Sequence, residues 1–594
     1  MRKISVQLIV FFISSLMLSQ LSAQDLGATF CWHYLEIYGG HDHPYNQSIV
    51  TRDLPTTAVS PASKWEGMSQ WWENMVEEVD YAGLDFVALL SRGTQPNQTK
   101  DLGMGDPKHI PTMVKYMKER NAKFKLAIFD DCPSSWRSSR NYNLYGKDES
   151  KYELFDCGNV DNYKYIWDYN LKIAIENIPD NMRYKIDNRP VIFFWSVKST
   201  WMTNIDGNLS KIVAYIKAQS LQTFGFTPYL IVMQPWFDRD RSLTPSMVDA
   251  AHNWFSAAGG TSYTVNTINN FKAGCCVPSF VKPSEPTNGV LEPGMGTPDM
   301  GTRLKYGLNN TVKAGAKVTL VEGFTDAAEG AALWRSGDKV YYNYPNQRLN
   351  ILRSYTKNPF PDTLRVEFEA CDAFSDLSTG NSGTAFLHEG NLDVVKCADK
   401  FGGWQVTNTQ ANEWMEWKEM PLLANTKFQL RYKSTATAAV KFTVDNVELP
   451  TVNLASTNSA WATVDAGTVL KSVNGLSTVR MTIVSGTPDI NYFLRVANNS
   501  STGIPAVGAN KVEKSVSVYP NPFKSGKLTV NLAGFENQRD IVLKICNLTG
   551  QMLFQRNLDL INTEIYLPAN LNSAIYIISV ESKTNKAFTK LIIK

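Results

Sequence analysis

Three carboxylates follow one short apolar segment and are the residues of this sequence best suited to acid–base chemistry. The segment Val318–Val321 is rich in β-branched residues, and Glu322, Asp326 and Glu329 come soon after it. An apolar run that breaks into acidic, glycine-containing sequence is typical of the carboxyl end of a parallel barrel strand, where such barrels keep their active sites. Glycoside cleavage needs one protonated carboxyl to assist the leaving oxygen and one ionised carboxyl to support the oxocarbenium-like centre. Asp326 and Glu329 are three residues apart, so they would couple electrostatically and separate their pKa values.

The same spacing also has a purely structural explanation. Asp326 would cap a helix that begins near Ala327, and Glu329 would lie in its first turn, where negative charge favours the helix dipole. On the sequence alone both interpretations stay open.

The region from residue 24 to residue 360 alternates apolar strands with amphipathic helices, which predicts an α/β fold with a parallel sheet. Eight strands are expected, at residues 28–32, 86–90, 125–129, 191–195, 229–233, 253–255, 274–277 and 318–321. Helices are expected at residues 68–81, 110–120, 163–178, 209–221, 302–314 and 344–356. This number of strand–helix units within about 330 residues predicts a TIM-type (β/α)8 barrel.

Polar and aromatic residues follow most of the predicted strands and predict a sugar-binding mouth. The candidates for substrate contact are His33, Asp130, Asp131, Trp195, Trp236 and Glu322. Exposed aromatic faces at a pocket rim suit sugar rings, although tryptophan also fills cores and strand ends are often polar because loops are wet.

A metal-dependent alternative rests on the histidines near the first strand. His41 and His43 beside His33 would offer ligands for a metal, and with it an esterase or deacetylase activity. Histidines two apart in a loop bounded by glycine and proline more often line a surface, so no cofactor is expected for catalysis.

Three motifs of the barrel region resemble glycoside hydrolase families 99 and 71. They are Ala82-Gly-Leu-Asp-Phe86, Arg189-Pro-Val-Ile-Phe-Phe194 and Phe324-Thr-Asp-Ala-Ala-Glu-Gly330. The resemblance implies a TIM barrel acting on an α-linked glycan, with Asp326 assisting the nucleophilic step or acting as base and Glu329 as general acid/base.

The acidic motif also departs from the pattern of those families. Thr325 stands where they have asparagine, and Ala327-Ala328 replace bulkier residues. The chain resembles still more closely a group of secreted Bacteroidetes proteins with a glycosidase-like barrel.

Residues 361–498 change to short alternating strands, which predicts a β-sandwich. The motifs Val366-Glu-Phe-Glu-Ala370, Asn412-Glu-Trp-Met-Glu-Trp417 and Asp489-Ile-Asn-Tyr-Phe493 resemble carbohydrate-binding modules of families 6 and 35.

That resemblance implies a structural calcium and a sugar site in the sandwich. Glu367 and Glu369 would hold the calcium, and Asp489 would add another of the oxygen ligands that a hard cation prefers. Trp404 and Asn491 are the candidates for ring stacking and hydroxyl contact.

The two ends of the chain predict export. Residues 1–23 read as a secretory signal, with Arg2-Lys3, an apolar run over residues 8–18 and a small-residue cleavage site. Residues 499–514 form a small-residue linker, and residues 515–594 resemble the type A sorting domain of the type IX secretion system. This last resemblance rests on Val518-Tyr-Pro-Asn-Pro-Phe523, Asn547-Leu-Thr-Gly550 and the basic terminus, and it implies a small β-sandwich and a secreted or surface-attached protein.

The composition limits the classes of binding partner that we expect. The formal charge is +3, which favours neither nucleic acid nor an anionic membrane, and no later segment approaches a membrane-spanning length. Eight cysteines in an exported protein permit disulfides, with Cys371 and Cys397 as the best-placed pair.

Together these patterns predict a secreted, modular and monomeric glycoside hydrolase that cleaves an internal linkage of an α-linked polysaccharide or glycan. The alternative is a non-catalytic cell-surface glycan-binding protein whose barrel has lost its activity.

Overall fold

The computed structural model describes two compact units, one within residues 22–502 and one that includes residues 503–594. The residues described in the first unit are 24–30, 68–93, 105–131, 136, 140–146, 148–197, 199–280, 299–326, 331–336, 341–378, 392–400, 402–470 and 475–497. Those described in the second unit are 515–519, 521–533, 541–547, 551–558, 562–568, 571–582 and 586–593.

A mixed sheet that nearly closes into a barrel organises the first part of the chain. Its strands are β1 Asp25–Phe30, β2 Phe86–Ser91, β3 Lys125–Asp130, β4 Arg189–Phe194, β5 Tyr229–Met233, β6 Ala250–His252, β7 Tyr263–Ile268, β8 Phe271–Cys276 and β9 Val318–Val321. The spatial order is β7-β8-β9-β1-β2-β3-β4-β5-β6, and every neighbouring pair is parallel except the β7–β8 hairpin. β6 packs beside β7 and β8, which brings the two ends of the sheet together.

Helices cover the outside of this sheet. The α-helices are α1 Met68–Ala82, α2 Ile110–Arg120, α3 Tyr142–Tyr145, α4 Val160–Lys164, α5 Lys172–Asn177, α6 Leu209–Phe224, α7 Pro235–Arg239, α8 Trp254–Ser256, α9 Thr302–Lys313 and α10 Gln347–Ser354. In α1, Trp72, Met75, Val76 and Val79 are fully buried. Their spacing of three and four residues places them on one helix face, which explains why this segment is an amphipathic helix against the sheet.

Shorter elements complete this region. π-helical turns occur at Tyr165–Leu171, which joins α4 to α5, and at Ala257–Thr261. Turns of 3-10 helix occur at Pro107–His109, Glu149–Lys151, Asp180–Met182 and Pro245–Met247. Short strands pair as Phe155–Asp156 with Met202–Thr203, and Lys185–Ile186 lies antiparallel to β4.

The sheet corrects the sequence prediction at two places. The sixth strand was expected at residues 253–255, but Asn253 caps α8 instead, since its side-chain oxygen accepts a hydrogen bond from Ser256 N at 3.4 Å. The antiparallel strand β7 was not expected. It is joined to β8 through Asn269 and Asn270, whose φ angles of 50° and 62° suit a tight hairpin turn.

The second domain of this unit is a β-sandwich. Its strands are β10 Thr363–Glu367, β11 Ala373–Ser375, β12 Val394–Lys396, β13 Trp404–Val406, β14 Trp414–Leu422, β15 Lys427–Lys433, β16 Ala438–Val444, β17 Val447–Glu448, β18 Val452–Leu454, β19 Ala462–Thr468, β20 Gly475–Ser485 and β21 Asp489–Val496. One sheet has the order β12-β13-β21-β15-β19 with β10 beside β21, and the other has the order β11-β14-β20-β16-β17 with β18 beside β16. Trp417, Phe428, Phe442 and Phe493 pack edge to face or tilted in the core between the sheets.

The predicted Cys371–Cys397 disulfide is not formed in this structure. Both cysteines are buried and no bond joins their sulfurs, and the Cys397 sulfur accepts a hydrogen bond from Asp399 N at 3.4 Å. Two cysteines in one small domain therefore need not face each other, because sequence proximity does not fix the side-chain geometry that a disulfide requires.

The second unit contains two antiparallel sheets with a core of their own. Its strands are β22 Ser515–Tyr519, β23 Lys527–Ala533, β24 Ile541–Cys546, β25 Met552–Leu558, β26 Asn562–Tyr566, β27 Ala574–Glu581 and β28 Lys586–Ile593. None of the helices in the described part of the chain is long and apolar enough to cross a membrane.

Candidate functional site

The carboxyl ends of the barrel strands form a polar and aromatic mouth. Phe129 and Phe193 belong to the interior core of the sheet. The His252 ring contacts both of them edge to face at 6.0 Å, and the Trp195 ring lies 5.7 Å from Phe129. Because side chains alternate along a barrel strand, the residues two positions beyond each interior residue continue the same face.

Glu322 is buried at this mouth and is held by the first strand. Thr29 Oγ1 donates a hydrogen bond to Glu322 Oε2 at 3.1 Å, and Gly323 N donates to Thr29 Oγ1 at 2.7 Å. The backbone of Glu322 is fixed as well, since its N–H donates to Cys276 O at 2.8 Å. The carboxylate therefore has one defined orientation beside β1.

Asp131 and Asp130 lie on opposite faces of the sheet, which alternation along β3 requires. Asp131 forms an ion pair with Arg92, the residue after β2. Asp130 instead accepts a hydrogen bond from Asn170 Nδ2 at 2.6 Å, and Ser91 Oγ donates to Asn170 Oδ1.

The prediction that Asp130 contacts substrate is therefore wrong for this structure. Asn170 belongs to the π-helical turn Tyr165–Leu171 of the outer layer, and Asp130 is fully buried between that turn and the sheet. Asp131 is the aspartate that continues the interior face.

Asp326 begins the acidic loop, which we define as residues 326–331, and backbone hydrogen bonds join the segments on its two sides. Leu333 N donates to Phe324 O and Ala331 N donates to Asp326 O, both at 3.0 Å. Asp326 is 2 % exposed, and Glu329 lies outside the described residues. Residues 331–336 are not helical, and the start of the helix predicted near Ala327 also lies outside the described residues.

The segment after this loop is anchored to the helical layer. Ala332 O accepts hydrogen bonds from Arg348 Nη1 at 2.6 Å and from the Tyr342 hydroxyl at 3.1 Å. Arg348 also donates to Ser279 Oγ at 3.2 Å. These buried contacts fix the position of Ala332 relative to α10 and to the segment after β8.

His252 is a candidate that sequence reasoning missed. It is fully buried, and burial lowers its pKa to about 4, so the ring is neutral at physiological pH. Its Nε2 lies 2.9 Å from Phe194 O, and because a carbonyl only accepts, the proton resides on Nε2 and Nδ1 is left as an acceptor. Nδ1 has no hydrogen-bond partner among the described residues. Placing the sixth strand three residues too late hid this residue, which in fact ends the strand.

The two tryptophans predicted to contact sugar lie in different surroundings. Trp195 is half-buried at the mouth and packs against Trp254 at 5.0 Å. Trp236 is fully buried and donates its indole N–H to Trp195 O at 2.8 Å, so it is a core residue and the prediction of sugar contact is wrong for it. His33, His41 and His43 lie outside the described residues.

Both sugar-contact candidates of the sandwich are buried. Asn491 is fully buried and donates to Asp399 Oδ2 at 3.0 Å. Trp404 is 7 % exposed, and Lys396 Nζ lies 5.1 Å from the centre of its ring. Both side chains are therefore engaged by neighbouring groups in this structure, and their contact with sugar stays a prediction.

The carboxylates predicted to bind calcium are engaged by other groups. Glu367 accepts from Arg120 Nη2 of helix α2 at 2.6 Å and also pairs with Arg365. Although burial raises the pKa of Glu367, the charges of Arg365 and Arg120 lower it below its ordinary value.

The third predicted ligand lies in different surroundings. Asp489 accepts from Thr407 Oγ1 at 2.6 Å and from Gln405 Nε2 at 3.1 Å, and Lys433 Nζ lies 3.3 Å away. In the described part of the chain no three acidic, histidine or cysteine side chains are grouped as metal ligands. Arginine and lysine side chains therefore already supply positive charge to Glu367 and Asp489, and the calcium site stays a prediction.

Glu367 belongs instead to a buried charge network between the barrel helices and the sandwich. Arg335 Nη2 donates to Glu77 Oε1 of α1 at 2.7 Å, and Arg335 N donates to Glu78 Oε2 at 2.9 Å. Glu369 lies in the same surroundings, where burial and the neighbouring Glu77 raise its pKa well above the ordinary value.

Comparison with known proteins defines the two smaller domains. Residues 388–495 match the carbohydrate binding module of family 35, and residues 517–594 match the secretion system C-terminal sorting domain. No curated protein is significantly similar to the chain.

Solved structures similar to this chain include several carbohydrate-binding modules of family 6. The C-terminal module of the laminarinase LamC from Zobellia galactanivorans is 17% identical, with 23% of this chain and 99% of that chain covered and a TM-score of 0.17. The module from Cellvibrio mixtus lichenase 5A, solved with cellotriose, is 12% identical, with 23% and 98% covered and a TM-score of 0.18. A β-1,3-glucan-binding module from Bacillus halodurans is 16% identical, with 23% and 96% covered and a TM-score of 0.19.

The protein thus carries a carbohydrate-binding module and a sorting domain, and the sorting domain indicates export by the type IX secretion system to the cell surface or the extracellular space. The chain belongs to the family described as a domain of unknown function, DUF5010, which matches residues 22–373. The expected sandwich and sorting domain are confirmed, whereas the barrel matches this family and the resemblance to glycoside hydrolase families 99 and 71 is not confirmed.

Proposed function

We propose that the protein is a secreted glycoside hydrolase that cleaves an internal bond of an α-linked polysaccharide, and that its first domain works as a (β/α)8 barrel. The observation that supports this best is the mouth itself, where Glu322 and Asp131 come from distant strands to the interior face at the carboxyl ends. Catalytic residues of parallel barrels lie at this end. The aromatic rings of Trp195 and Trp254 lie at the same end and suit the apolar face of a sugar.

In this proposal Asp326 and Glu329 of the acidic loop are the catalytic pair. Glu329 protonates the glycosidic oxygen as the bond breaks and afterwards acts as base, while Asp326 supports the reaction at the anomeric carbon. Glu322, oriented by Thr29, and Asp131, oriented by Arg92, bind sugar hydroxyls at the mouth. Nδ1 of His252 would accept a hydrogen bond from a sugar hydroxyl. Because its ring is neutral, His252 would not replace Glu329 as the general acid.

The sandwich supports the same proposal. It belongs to a class of domain that binds carbohydrate, and the barrel and the sandwich lie within one compact unit. A polysaccharide held by the sandwich would raise the local concentration of its chains at the barrel, because tethering turns the second encounter into an intramolecular one.

The test is hydrolysis of a panel of α- and β-linked polysaccharides by the exported protein and by two variants, with released ends measured by chromatography. Glu329→Gln removes the general acid, so kcat should fall by roughly 10²- to 10⁴-fold while glycan binding is kept. Glu119→Gln is the matched control, because Glu119 lies exposed on α2 and its loss should leave activity unchanged. Wild-type rates in Glu329→Gln would refute the assigned role.

The second candidate function is glycan binding without catalysis. It is favoured by the fact that Glu322 and Asp131 are already engaged by Thr29 and Arg92, and that Asp326 is almost completely buried. If no glycan of the panel is cut but one is bound equally by the wild type and by Glu329→Gln, this function replaces the first.

A further inference from the structure

A second cavity lies at the opposite end of the barrel from the mouth. It has a volume of about 530 Å³ and is bounded by the start of β1, the start of β3, the end of α10 and the start of β10. We call it the basal cleft. Its size is in the range of cavities that hold small ligands, and it shares no residue with the mouth.

The basal cleft is predominantly positive. Seven of its lining side chains are Lys or Arg and three are Asp, and each Asp already has a partner. Asp25 accepts from the Tyr184 hydroxyl at 2.7 Å and pairs with Lys357. Asp85 Oδ2 accepts from Leu26 N at 2.9 Å, and Asp80 lies 3.5 Å from Arg120 Nε.

Arg353 lines the cleft and forms no ion pair within the described residues, although the charge of Asp80 acts on it from the same cleft. The residue is 2 % exposed, and its Nε and Nη2 have no hydrogen-bond acceptor among the described residues. Its guanidinium lies over the ring of Tyr81 at 5.1 Å, which holds the group in place. Burial lowers the pKa of Arg353 to about 10, and a buried charge without a partner is costly to a folded protein.

Arg495 strengthens the positive charge behind Arg353. It is fully buried in β21, and its Nε, Nη1 and Nη2 all lack an acceptor within the described residues. Burial and the nearby charge of Arg353 together lower the pKa of Arg495 to about 10. Asp80 near Arg353 and Asp362 near Arg495 supply some negative charge, yet five guanidinium nitrogens of the two arginines have no acceptor among the described residues. Such buried, unsatisfied donors favour an anion at this place.

We propose that the basal cleft binds a carboxylate or sulfate group of an acidic glycan through the guanidinium of Arg353, with Arg495 adding positive charge. Guanidinium is planar and always charged, and it matches the paired oxygens of such groups with two parallel hydrogen bonds. A glycan is the fitting source of the anion, because the exported protein already has a carbohydrate-binding domain. The proposal does not depend on hydrolysis at the mouth.

The experiment titrates the full exported protein by calorimetry with three probes: an oligogalacturonate, the neutral oligosaccharide of the same length, and sodium sulfate. The wild type should bind the oligogalacturonate at least tenfold more tightly than either of the other two probes. Arg353→Met should lose this preference. Binding of neutral glycan should be equal in both proteins, which separates the cleft from the sandwich.

Two further variants keep the outcome interpretable. Arg353→Met should also melt at a higher temperature than the wild type without ligand, because it removes an unpaired buried charge. Arg353→Lys keeps the charge but not the forked geometry, so it should weaken oligogalacturonate binding by roughly tenfold. Arg241→Met, which changes an arginine 87% exposed outside the cleft, is the control and should bind as the wild type does.

Three results would overturn the proposal. The first is equal binding of oligogalacturonate by the wild type, Arg353→Lys and Arg353→Met. The second is binding of sulfate as tight as that of the oligosaccharide, which would make the ligand a free inorganic anion. The third is no binding of either anion by the wild type.

Discussion

Gly323 lies between Glu322 and the acidic loop, and adding one methyl group there should destabilise the protein. Its φ angle is +79°, in the left-handed region that favours glycine. A Cβ placed there would lie 2.5 Å from Ala331 Cβ and 3.3 Å from Ala331 O. The first of these separations is too short for two carbon atoms, so Gly323→Ala must push Ala331 away and open the base of the loop.

The expected loss has two parts. The left-handed backbone costs a residue with a side chain about 1–2 kcal/mol, and overpacking against a fixed neighbour costs about 1–3 kcal/mol more. The free energy of unfolding should therefore fall by about 2–5 kcal/mol. Gly225→Ala isolates the first part, because Gly225 has φ +77° but no atom within 4 Å of the added Cβ, and it should lose only about 1–2 kcal/mol.

Urea denaturation followed by tryptophan fluorescence measures both variants. Eleven of the fifteen tryptophans lie between Trp32 and Trp334, so the signal reports the barrel. If the acidic loop is catalytic, Gly323→Ala should also lose glycan hydrolysis under conditions in which it is still folded, and Gly225→Ala should not. Equal losses of stability in the two variants would show that the close approach of Gly323 to Ala331 is not a constraint, and the argument for a closed loop would fail.

Three further predictions concern buried titratable groups. Arg335→Met leaves Glu77 and Glu78 buried without their guanidinium partner and should lower the free energy of unfolding by about 3–5 kcal/mol. Adding Glu77→Gln to this variant should restore part of the lost stability. If urea denaturation shows no restoration, the pairing of Arg335 with Glu77 is contradicted. Burial raises the pKa of Asp372 from 3.8 to about 7, so its contribution to stability is fully present below pH 3.8 and is lost as the pH rises through 7. Asp372→Asn should therefore make the melting temperature depend less on pH between about 4 and 7. If the variant has the same profile of melting temperature against pH as the wild type, the assignment to Asp372 is wrong. Because burial lowers the pKa of His252 to about 4, its ring protons should show no titration in NMR spectra between pH 5 and 8; a midpoint near 6.5 would mean that the ring is exposed to water.

Much of the backbone could be predicted because it depends on local patterns. The helix Ile110–Arg120 and the strands Tyr229–Met233 and Val318–Val321 lie where hydrophobic periodicity placed them. The prediction of the sixth strand is wrong for a local reason too, because Asn253 caps a helix and does not belong to a strand. The hairpin at Asn269 and Asn270 carried a turn signal that strand counting overlooked.

The residues of the site could be predicted less well, because the burial and direction of a side chain depend on segments that lie far apart in the sequence. Trp236 and Trp404 were expected at sugar contacts, but a tryptophan at a strand end has the same sequence signal whether it faces water or the core. Glu367 was expected to bind calcium, yet Arg120, far away in the sequence, reaches it across the contact between the barrel and the sandwich.

The sequence by itself determined the carbohydrate-binding module, the sorting domain and most of the described strands and helices, since these follow from motif and periodicity. Only the tertiary structure decided that Asp131 rather than Asp130 faces the barrel interior, and that His252 ends the sixth strand. It alone brought Arg353 and Arg495 together at the basal cleft. The physical reason is that a side chain's direction and charge environment are set by the register and packing of segments that lie far apart in the chain.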